Sequence, residues 1–192
     1  MERSGMLMPG YDVVKAAQAA AFFALKSGGK INVLKLAKLL YLAERGFMSR
    51  YDEPMFYDHL VSMPDGPVTS ITLNLINGDA EDDTWPKFVA PRQGYDVSVA
   101  DGVTLANLEN LSAAEMELLG ELWEKFKTFD RYRLRDWTHQ KKNVPEWEDP
   151  KGSSCQITHE EVFEYLGKPD VKALVDNIRD RRHLAKAIRQ IV

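Results

Sequence analysis

The residue types that most often carry out chemistry are few and scattered in this sequence. Its four histidines are His59, His139, His159 and His183, and its one cysteine is Cys155. The segment HEEVF at His159 lacks the second histidine, four residues later, that a zinc-binding helix needs. No Gly-x-Ser-x-Gly motif marks a nucleophilic serine. The sequence therefore predicts no catalytic residue, no metal site, no cofactor and no enzyme activity.

One short loop has the composition of a ligand-binding turn. Residues 62–70 read SMPDGPVTS. Because the free amides at a helix N-terminus attract anions, a phosphate site is one interpretation of this stretch. Pro67 removes one of those amides, however, Asp65 would repel an anion, and the Gly-x-x-x-x-Gly-Lys spacing is absent. We therefore favour a turn that leads into a helix, with Pro67 in the first helical turn.

Aromatic and basic residues alternate in the second half of the chain. The aromatic members are Tyr132, Trp137, Trp147 and Phe163, and the basic members are Arg131, Arg133, Arg135, Lys141 and Lys142. Such a set could stack on nucleobases or anchor a protein interface. It is also typical of core aromatic residues next to a solvated face. Neighbouring charges such as Glu44 and Arg45 likewise have the pattern of solvated surface.

Composition places the chain among soluble globular proteins. It has 192 residues, 44% of them hydrophobic and 28% charged, enough for one compact domain with a tail. No apolar run approaches the roughly 20 residues of a membrane span. The N-terminus does not resemble a secretory signal, and a lone cysteine cannot form an internal disulfide. We therefore expect a cytoplasmic protein.

The net charge of −4 conceals a basic tail. Residues 168–192 hold seven basic and three acidic side chains, whereas residues 1–167 hold 18 basic and 26 acidic ones. We expect residues 1–167 to form the domain and residues 168–192 a basic amphipathic helix, whose partner could be nucleic acid, an acidic protein or the body of the chain. The tail residues that could make such contacts are Arg179, Arg181, Arg182, Lys186 and Arg189.

Helical signals dominate the elements that must position these residues. Asp12 can cap a helix that ends before Ser27, and Asn32 can cap a second helix with leucines at helical spacing. Later helices are predicted after two capping boxes, Ser112 with Glu115 and Thr158 with Glu161, and after Asp130 and Asp170. Residues 87–100 predict two short strands joined by a turn, as a small hairpin or flap. The fold class is therefore mainly α, a compact multi-helix domain with a small β element and a C-terminal helix.

Several segments together resemble a known family. The segments LKLAKLLYLAERGFMSRYDEPMF, DGPVTSI, LSAAEMELLGELWEKF and LRDWTHQ, in this order, are similar to the Panacea-domain, or SocA-like, antitoxins over about residues 11–166. The motif residues that carry the resemblance are Lys35, Leu36, Lys38, Leu39, Leu40, Tyr41, Ala43, Gly66, Pro67, Val68, Thr138 and His139. Two positions depart from the family pattern, because members often carry glutamine at Ala37 and histidine at Asp65.

The resemblance implies an antitoxin of a bacterial or phage toxin-antitoxin pair, which neutralises a cognate protein toxin by direct binding. The toxins of this family vary, so the resemblance does not name one. It also implies an alternative, a proteolytic adaptor that delivers the toxin to a ClpXP-type protease. The basic tail suggests a third interpretation, a DNA-binding autorepressor, and the same helix could pair two copies of the chain as a homodimer. No enzyme activity is implied. A hydrolase, in which His139 would meet a nucleophile and an oxyanion donor in one pocket, is the fourth and last hypothesis.

Overall fold

The computed structural model describes residues 7–190. Within these residues the helices are α1 Val13–Lys26, α2 Val33–Tyr51, α3 Ser70–Asn77, α4 Ala113–Phe126, α5 Arg131–Thr138, α6 His159–Tyr165 and α7 Val171–Arg189. The strands are β1 Lys30–Asn32, β2 Leu60–Met63, β3 Gly66–Thr69, β4 Asp96–Ser98 and β5 Cys155–Ile157. Two 3-10 turns occupy Trp85–Lys87 and Leu105–Asn107. The predicted fold class, mainly α with short strands and a C-terminal helix, is confirmed.

Helix α2 is the centre of the core. The Asn32 side chain caps it by accepting from the amides of Leu34 and Lys35, as the sequence predicts. Its buried apolar side chains include Leu36, Leu39, Leu40 and Ala43. Burying each leucine stabilises the fold by roughly 1.5 to 3 kcal/mol. Helices α1, α4 and α5 and strand β3 all pack against α2.

Helix α1 packs against α2, and most of its buried side chains are alanines. Asp12 caps the helix by accepting from the Lys15 amide at 3.1 Å. The buried alanines are Ala16, Ala17, Ala19, Ala20, Ala21 and Ala24. A side chain that ends at Cβ lets two backbones come near each other without leaving a void.

The SMPDGPVTS segment forms a β-hairpin. Strand β2 pairs antiparallel with β3, which places Pro67 opposite Ser62, and β5 pairs with the other edge of β2. The prediction that Pro67 lies in the first turn of a helix is wrong, because the helix begins at Ser70. A proline lacks an amide hydrogen, and an edge strand such as β3 tolerates this as well as a helix start does.

A second, two-stranded ladder joins distant parts of the chain. Strand β4 pairs antiparallel with β1, so that Ile31 faces Val97. Residues 87–100 fold back on themselves through a bridge between Val89 and Val99, but only their second half forms a strand. The two segments of the expected hairpin therefore do pair, through the antiparallel bridges Val89–Val99 and Gln93–Asp96. The sequence pattern gives no sign of β1 as the further partner of β4.

The remaining helix starts agree with the sequence. Both capping boxes form, with Ser112 and Thr158 each bonded reciprocally to the glutamate three residues later. Asp130 caps α5 and Asp170 caps α7. Within residues 7–190, no helix combines the length and apolar character needed to cross a bilayer.

Candidate binding groove

Motif residues from three separate segments meet around Gly66. This glycine has a positive φ of 99°. A Cβ atom at this position would lie 2.9 Å from Thr138 Oγ1, 3.1 Å from His139 Nε2 and 3.1 Å from Lys38 Nζ. Real Cβ atoms do not tolerate such approaches from several sides, and the left-handed conformation already favours glycine. Lys38, Gly66, Thr138 and His139 thus form one contact set, which we call the Gly66 cluster.

Lys38 is the buried cation of the Gly66 cluster. Its side chain leaves α2 and donates one hydrogen bond, from Nζ to the Pro67 carbonyl oxygen at 2.9 Å. Burial lowers the pKa of Lys38 to about 7, the Asp65 carboxylate acts in the opposite direction, and Arg135 lowers the pKa further. An ammonium group has three N–H donors. Near neutral pH this lysine therefore gains or loses its proton in response to small changes around it.

His139 closes the other side of the Gly66 cluster. Its ring stacks on Trp147 with the centroids 4.1 Å apart and the planes 6° from parallel. Trp147 is fixed in turn, because its Nε1 donates to the Met63 carbonyl oxygen at 3.1 Å. Burial, with help from the charges of Lys38 and Arg135, holds the pKa of His139 below its ordinary value. His139 Nε2 is buried and has no hydrogen-bond partner among residues 7–190.

A groove of about 880 Å³ opens next to this cluster. Its apolar lining comes from α2, the β2–β3 hairpin and α3, and includes Val33, Ala37, Val68 and Leu73. Its polar and charged lining includes Lys38, Asp65, Arg92, Tyr95, Arg131 and Tyr132. Grooves of this size, mostly apolar with a few polar groups, are the usual form of ligand and peptide sites.

Arg131 and two tyrosines form the rim of this groove. The Arg131 guanidinium lies 4.7 Å from the centroid of the Tyr132 ring and 6.0 Å from that of Tyr95. Arg131 Nη2 also donates to the Tyr132 hydroxyl at 3.1 Å. The Tyr95 and Tyr132 side chains remain 74% and 50% exposed. Tyrosine and arginine exposed together are the residue types that most often anchor protein interfaces.

The comparisons with known proteins give one match. The family model for antitoxin SocA-like proteins, Panacea domain, matches residues 36–148. The chain belongs to this family. The comparisons found no match among the curated proteins or the solved structures.

The Panacea match contains the whole Gly66 cluster and both departures from the family pattern. Ala37 and Asp65 line the same groove. Ala37 contributes a small apolar side chain to this lining and Asp65 a negative charge. Asp65 lies 3.7 Å from Arg135, with its side chain 68% exposed.

The other Panacea motif residues hold the core together. Leu36, Leu39, Leu40, Tyr41 and Ala43 are buried. The Tyr41 hydroxyl donates to Glu146 Oε1 at 2.6 Å. Lys35, one residue before the matched segment, donates from Nζ to the carbonyl oxygens of Lys127 and Phe129 at 3.0 and 2.7 Å. The motif helix therefore combines core packing with one buried lysine at the groove.

The basic tail residues divide between contacts with the body and exposure. The Arg181 guanidinium lies 4.0 Å from the Tyr57 ring centroid and 4.0 Å from Asp12 Oδ2. Arg189 donates to the Leu7 carbonyl oxygen, and the Arg182 side chain packs at Gly10. Of the other two, Arg179 pairs with Asp176 at 2.7 Å on the same helix, and Lys186 is exposed. The tail therefore does not present its cations on one free face. Whether residues 168–192 act as a separate unit stays a prediction.

The alternating aromatic and basic set is also divided by the fold. Phe163 is buried in the core, and Trp137 packs edge-on against Phe126 at 4.9 Å. Trp147 supports His139 beneath the hairpin. Of the four aromatic residues, Tyr132 alone is largely exposed, and it lies at the groove rim. Of this set, Arg131 and Tyr132 are the residues that line the groove, so the interpretation as a protein interface now depends on these two.

Sequence reasoning missed a second group of buried charges. Glu44, expected on a solvated surface, is fully buried and accepts from the amides of Phe56 and Asp58 at 2.6 and 3.0 Å. Asp58 accepts from the amides of Ile71 and Thr72 at 2.8 and 2.9 Å and from the Thr72 hydroxyl at 2.6 Å. Burial raises the pKa of Glu44 to about 8 and that of Asp58 to about 6, against the effect of these hydrogen bonds. We call this pair the carboxylate network.

Proposed function

We propose that this protein is a non-enzymatic antitoxin that neutralises a cognate protein toxin by binding it directly. The observation that supports this most is membership of the SocA-like antitoxin family, which implies a toxin partner. The groove adds a surface with the properties of an interface, since exposed Tyr95 and Tyr132 flank Arg131 beside an apolar floor. We assign toxin contact to this groove rather than to the basic tail.

Co-expression with the product of the neighbouring gene tests the proposal. The neighbouring gene alone should stop growth, and induction of this protein should restore it. A 1:1 or 2:2 complex should then be isolated by size-exclusion chromatography. A neighbouring gene that is harmless, or that stays toxic when this protein is abundant, would exclude the antitoxin function for that pair.

The same strains separate sequestration from delivery to a protease. In sequestration the toxin level stays constant while growth recovers. If the protein is instead an adaptor for a ClpXP-type protease, the toxin half-life falls when both proteins are present, and deletion of the protease restores toxicity. Pulse-chase measurement of the toxin distinguishes the two mechanisms. We favour sequestration because the groove offers a surface for stable binding.

A DNA-binding autorepressor receives less support from the geometry. Arg181, Arg182 and Arg189 contact the body of the protein, so they are not arranged as a phosphate-binding face. A surface that contacts phosphates should show affinity that falls steeply with salt. A gel shift with the protein's own promoter at 50 mM salt is expected to show no complex, and a salt-sensitive complex would revive this function.

A further inference from the structure

The groove carries positive charge on an acidic protein. The formal net charge of the chain is −4, yet Lys38, Arg92 and Arg131 line the groove against one carboxylate, Asp65. Asp65 is itself near Arg135. Within residues 7–190, neither Arg92 nor Arg131 has a carboxylate within 4.0 Å, whereas Arg45 and Arg50 both do. Arg92 already donates to the Gly94 carbonyl oxygen and to Asn77 Oδ1, and Arg131 to the Tyr132 hydroxyl, so each has donors left over. Guanidinium groups without a carboxylate, beside an apolar floor, suit an occupant that brings its own.

The groove continues into a second depression. This depression, of about 480 Å³, shares Asn32, Arg131 and Tyr132 with the groove. It adds Lys30 and Lys35, and also the carboxylates of Asp96, which pairs with Lys30 at 3.6 Å, and Asp130, so its cations outnumber its carboxylates by one. Arg131 therefore stands where the two depressions meet. A ligand the size of one nucleotide would fill only one of them, whereas an extended peptide can place successive side chains in both.

We propose that an extended acidic segment of the partner protein binds along these two depressions, with its carboxylates at Arg131 and Arg92 and its apolar side chains on the floor. This rests on the proposed function, because it names the chemistry of the toxin segment at the groove. A long nucleic acid is a poorer occupant, since the acidic body of the chain would repel a polyanion. Paired guanidinium–carboxylate contacts at the groove would also fix the direction of the segment.

Proton uptake by Lys38 is a measurable property of this binding mode. The ammonium group of Lys38 lies at the groove lining near Gly66 and His139, and the charges of Asp65 and Arg135 act on its pKa in opposite directions. Lys38 lines the same groove as Arg131 and Arg92, so carboxylates bound at those two arginines also favour its charged form, because an opposite charge nearby raises the pKa of a lysine. In the free protein the pKa of Lys38 is about 7. Binding at pH 8 is therefore coupled to proton uptake, and affinity should fall as the pH rises from 7 to 9.

Photocrosslinking locates the partner segment. The neighbouring-gene toxin is co-expressed with full-length protein that carries a photoreactive phenylalanine analogue at Tyr132 or, as the control, at Tyr165. Both side chains are about half exposed, at 50% and 55%, but Tyr165 lies on α6 and does not line the groove. We expect a crosslink from position 132 to a toxin segment rich in Asp and Glu. A crosslink from position 165 and none from position 132, or a crosslinked segment without net negative charge, would overturn the inference.

Charge reversal tests the same contact quantitatively. We expect Arg131→Glu to weaken toxin binding at least tenfold in calorimetry and to abolish growth rescue. Arg133→Glu is the matched control on the same helix, because its guanidinium lies over the Phe129 ring at 3.9 Å and does not line the groove. Far-UV circular dichroism and urea unfolding establish that both variants are folded. Equal affinity of the two variants overturns the inference and leaves the antitoxin function intact.

Proton linkage provides a readout that a merely structural role would not affect. Calorimetry at pH 8 in two buffers of different ionisation enthalpy measures the protons taken up on toxin binding. We expect uptake in the wild type and a smaller uptake in Lys38→Met. Equal values in the two proteins would overturn the placement of the partner's carboxylates in the groove that Lys38 lines. If the wild type neither rescues growth nor binds the toxin, the proposed function itself has failed, an outcome distinct from all of these.

Discussion

The carboxylate network and the Gly66 cluster are both buried groups of charge beside α2, but they differ in how completely their hydrogen bonds are made. Both oxygens of Glu44 and both of Asp58 accept hydrogen bonds, mostly from backbone amides. In the Gly66 cluster, Lys38 makes one hydrogen bond and His139 Nε2 makes none among residues 7–190. The cluster also borders an open groove, whereas no pocket described above is lined by Glu44 or Asp58.

We propose that this difference separates a structural role, for the carboxylate network, from a binding role, for the Gly66 cluster. A buried carboxyl group whose oxygens all accept hydrogen bonds fixes the backbone around it, here the loop before β2 and the start of α3. A buried charge with spare donors costs stability and is retained where a ligand or a proton uses it. We therefore expect changes in the carboxylate network to reduce folding stability, and changes to Lys38 to affect binding and pH dependence instead.

Gly66→Ala should have the largest effect on stability. The added Cβ would press on Thr138 Oγ1, His139 Nε2 and Lys38 Nζ at 2.9 to 3.1 Å, in a left-handed backbone conformation. We expect a loss of about 3 kcal/mol in the free energy of unfolding, measured in urea.

The control is Gly78→Ala, at a helix end with φ of 79° and no neighbour within 4 Å of the added atom. It should lose only about 1 kcal/mol, from backbone strain alone. If the two variants were equally stable, the close packing around Gly66 would not matter to the fold. Growth rescue should be lost by Gly66→Ala only as far as the protein unfolds.

Asp58→Asn should have the second-largest effect on stability. The amide nitrogen of an asparagine cannot accept, so either the Ile71 amide or the pair of donors on Thr72 loses its partner. Leaving a buried donor unpaired costs about 2 kcal/mol. Asp79→Asn, at an exposed position after α3, should be neutral in the same urea experiment. A neutral Asp58→Asn would contradict a structural role for the carboxylate network.

Lys38→Met should change the pH dependence of stability more than stability itself. The substitution removes a buried amine but leaves the Pro67 carbonyl without its donor, so at pH 7 we expect a change within about 1 kcal/mol.

The sign of the pH effect follows from proton binding. In the unfolded chain Lys38 keeps its proton up to its ordinary value of 10.5, and in the folded chain it releases it near 7. Between these values the unfolded chain binds more protons, so the wild type gains stability as the pH rises. Measured against Lys38→Met, the gain should be about 1 kcal/mol per pH unit from pH 8 to 9.5. Parallel stability curves for the two proteins would show that Lys38 is not desolvated.

The sequence predicted the helices of this fold and missed its long-range contacts, for physical reasons. Capping residues and leucine spacing act locally, so α2 and the capped starts of α4 and α6 could be read directly. Pro67 is compatible with both a helix start and an edge strand. Only its pairing with Ser62, which lies in another strand, shows that it belongs to a strand. The Gly66 cluster was visible as separate motif residues. The groove was not, because it forms where α2, the hairpin and α5 meet.

The carboxylate network was harder still to predict. Most of its hydrogen-bond donors are backbone amides, which every non-proline residue carries, so no residue type marks the partners of Glu44. A glutamate beside an arginine within a helix ordinarily predicts surface. Here Arg45 instead forms an ion pair, with its Nε 2.6 Å from Oε1 of Glu146, which lies about a hundred residues later in the chain.

Asp65→Asn should have the smallest effect on stability. It tests in most detail how the charges around the Gly66 cluster set the pKa of Lys38. The Asp65 carboxylate raises the pKa of Lys38 against the effect of burial. Its removal should lower the pKa of Lys38 further, so that the rise of stability with pH begins at lower pH. Because Asp65 is largely exposed, the change in stability at pH 7 should stay below about 0.5 kcal/mol and should vanish in 1 M salt.

The control is Asp136→Asn. It also removes a carboxylate partner of Arg135, but Asp136 is not among the charges that act on Lys38. If the pH at which stability begins to rise is lower in Asp65→Asn and unchanged in Asp136→Asn, the effect acts through Lys38. If this pH falls equally in both variants, the effect acts through Arg135.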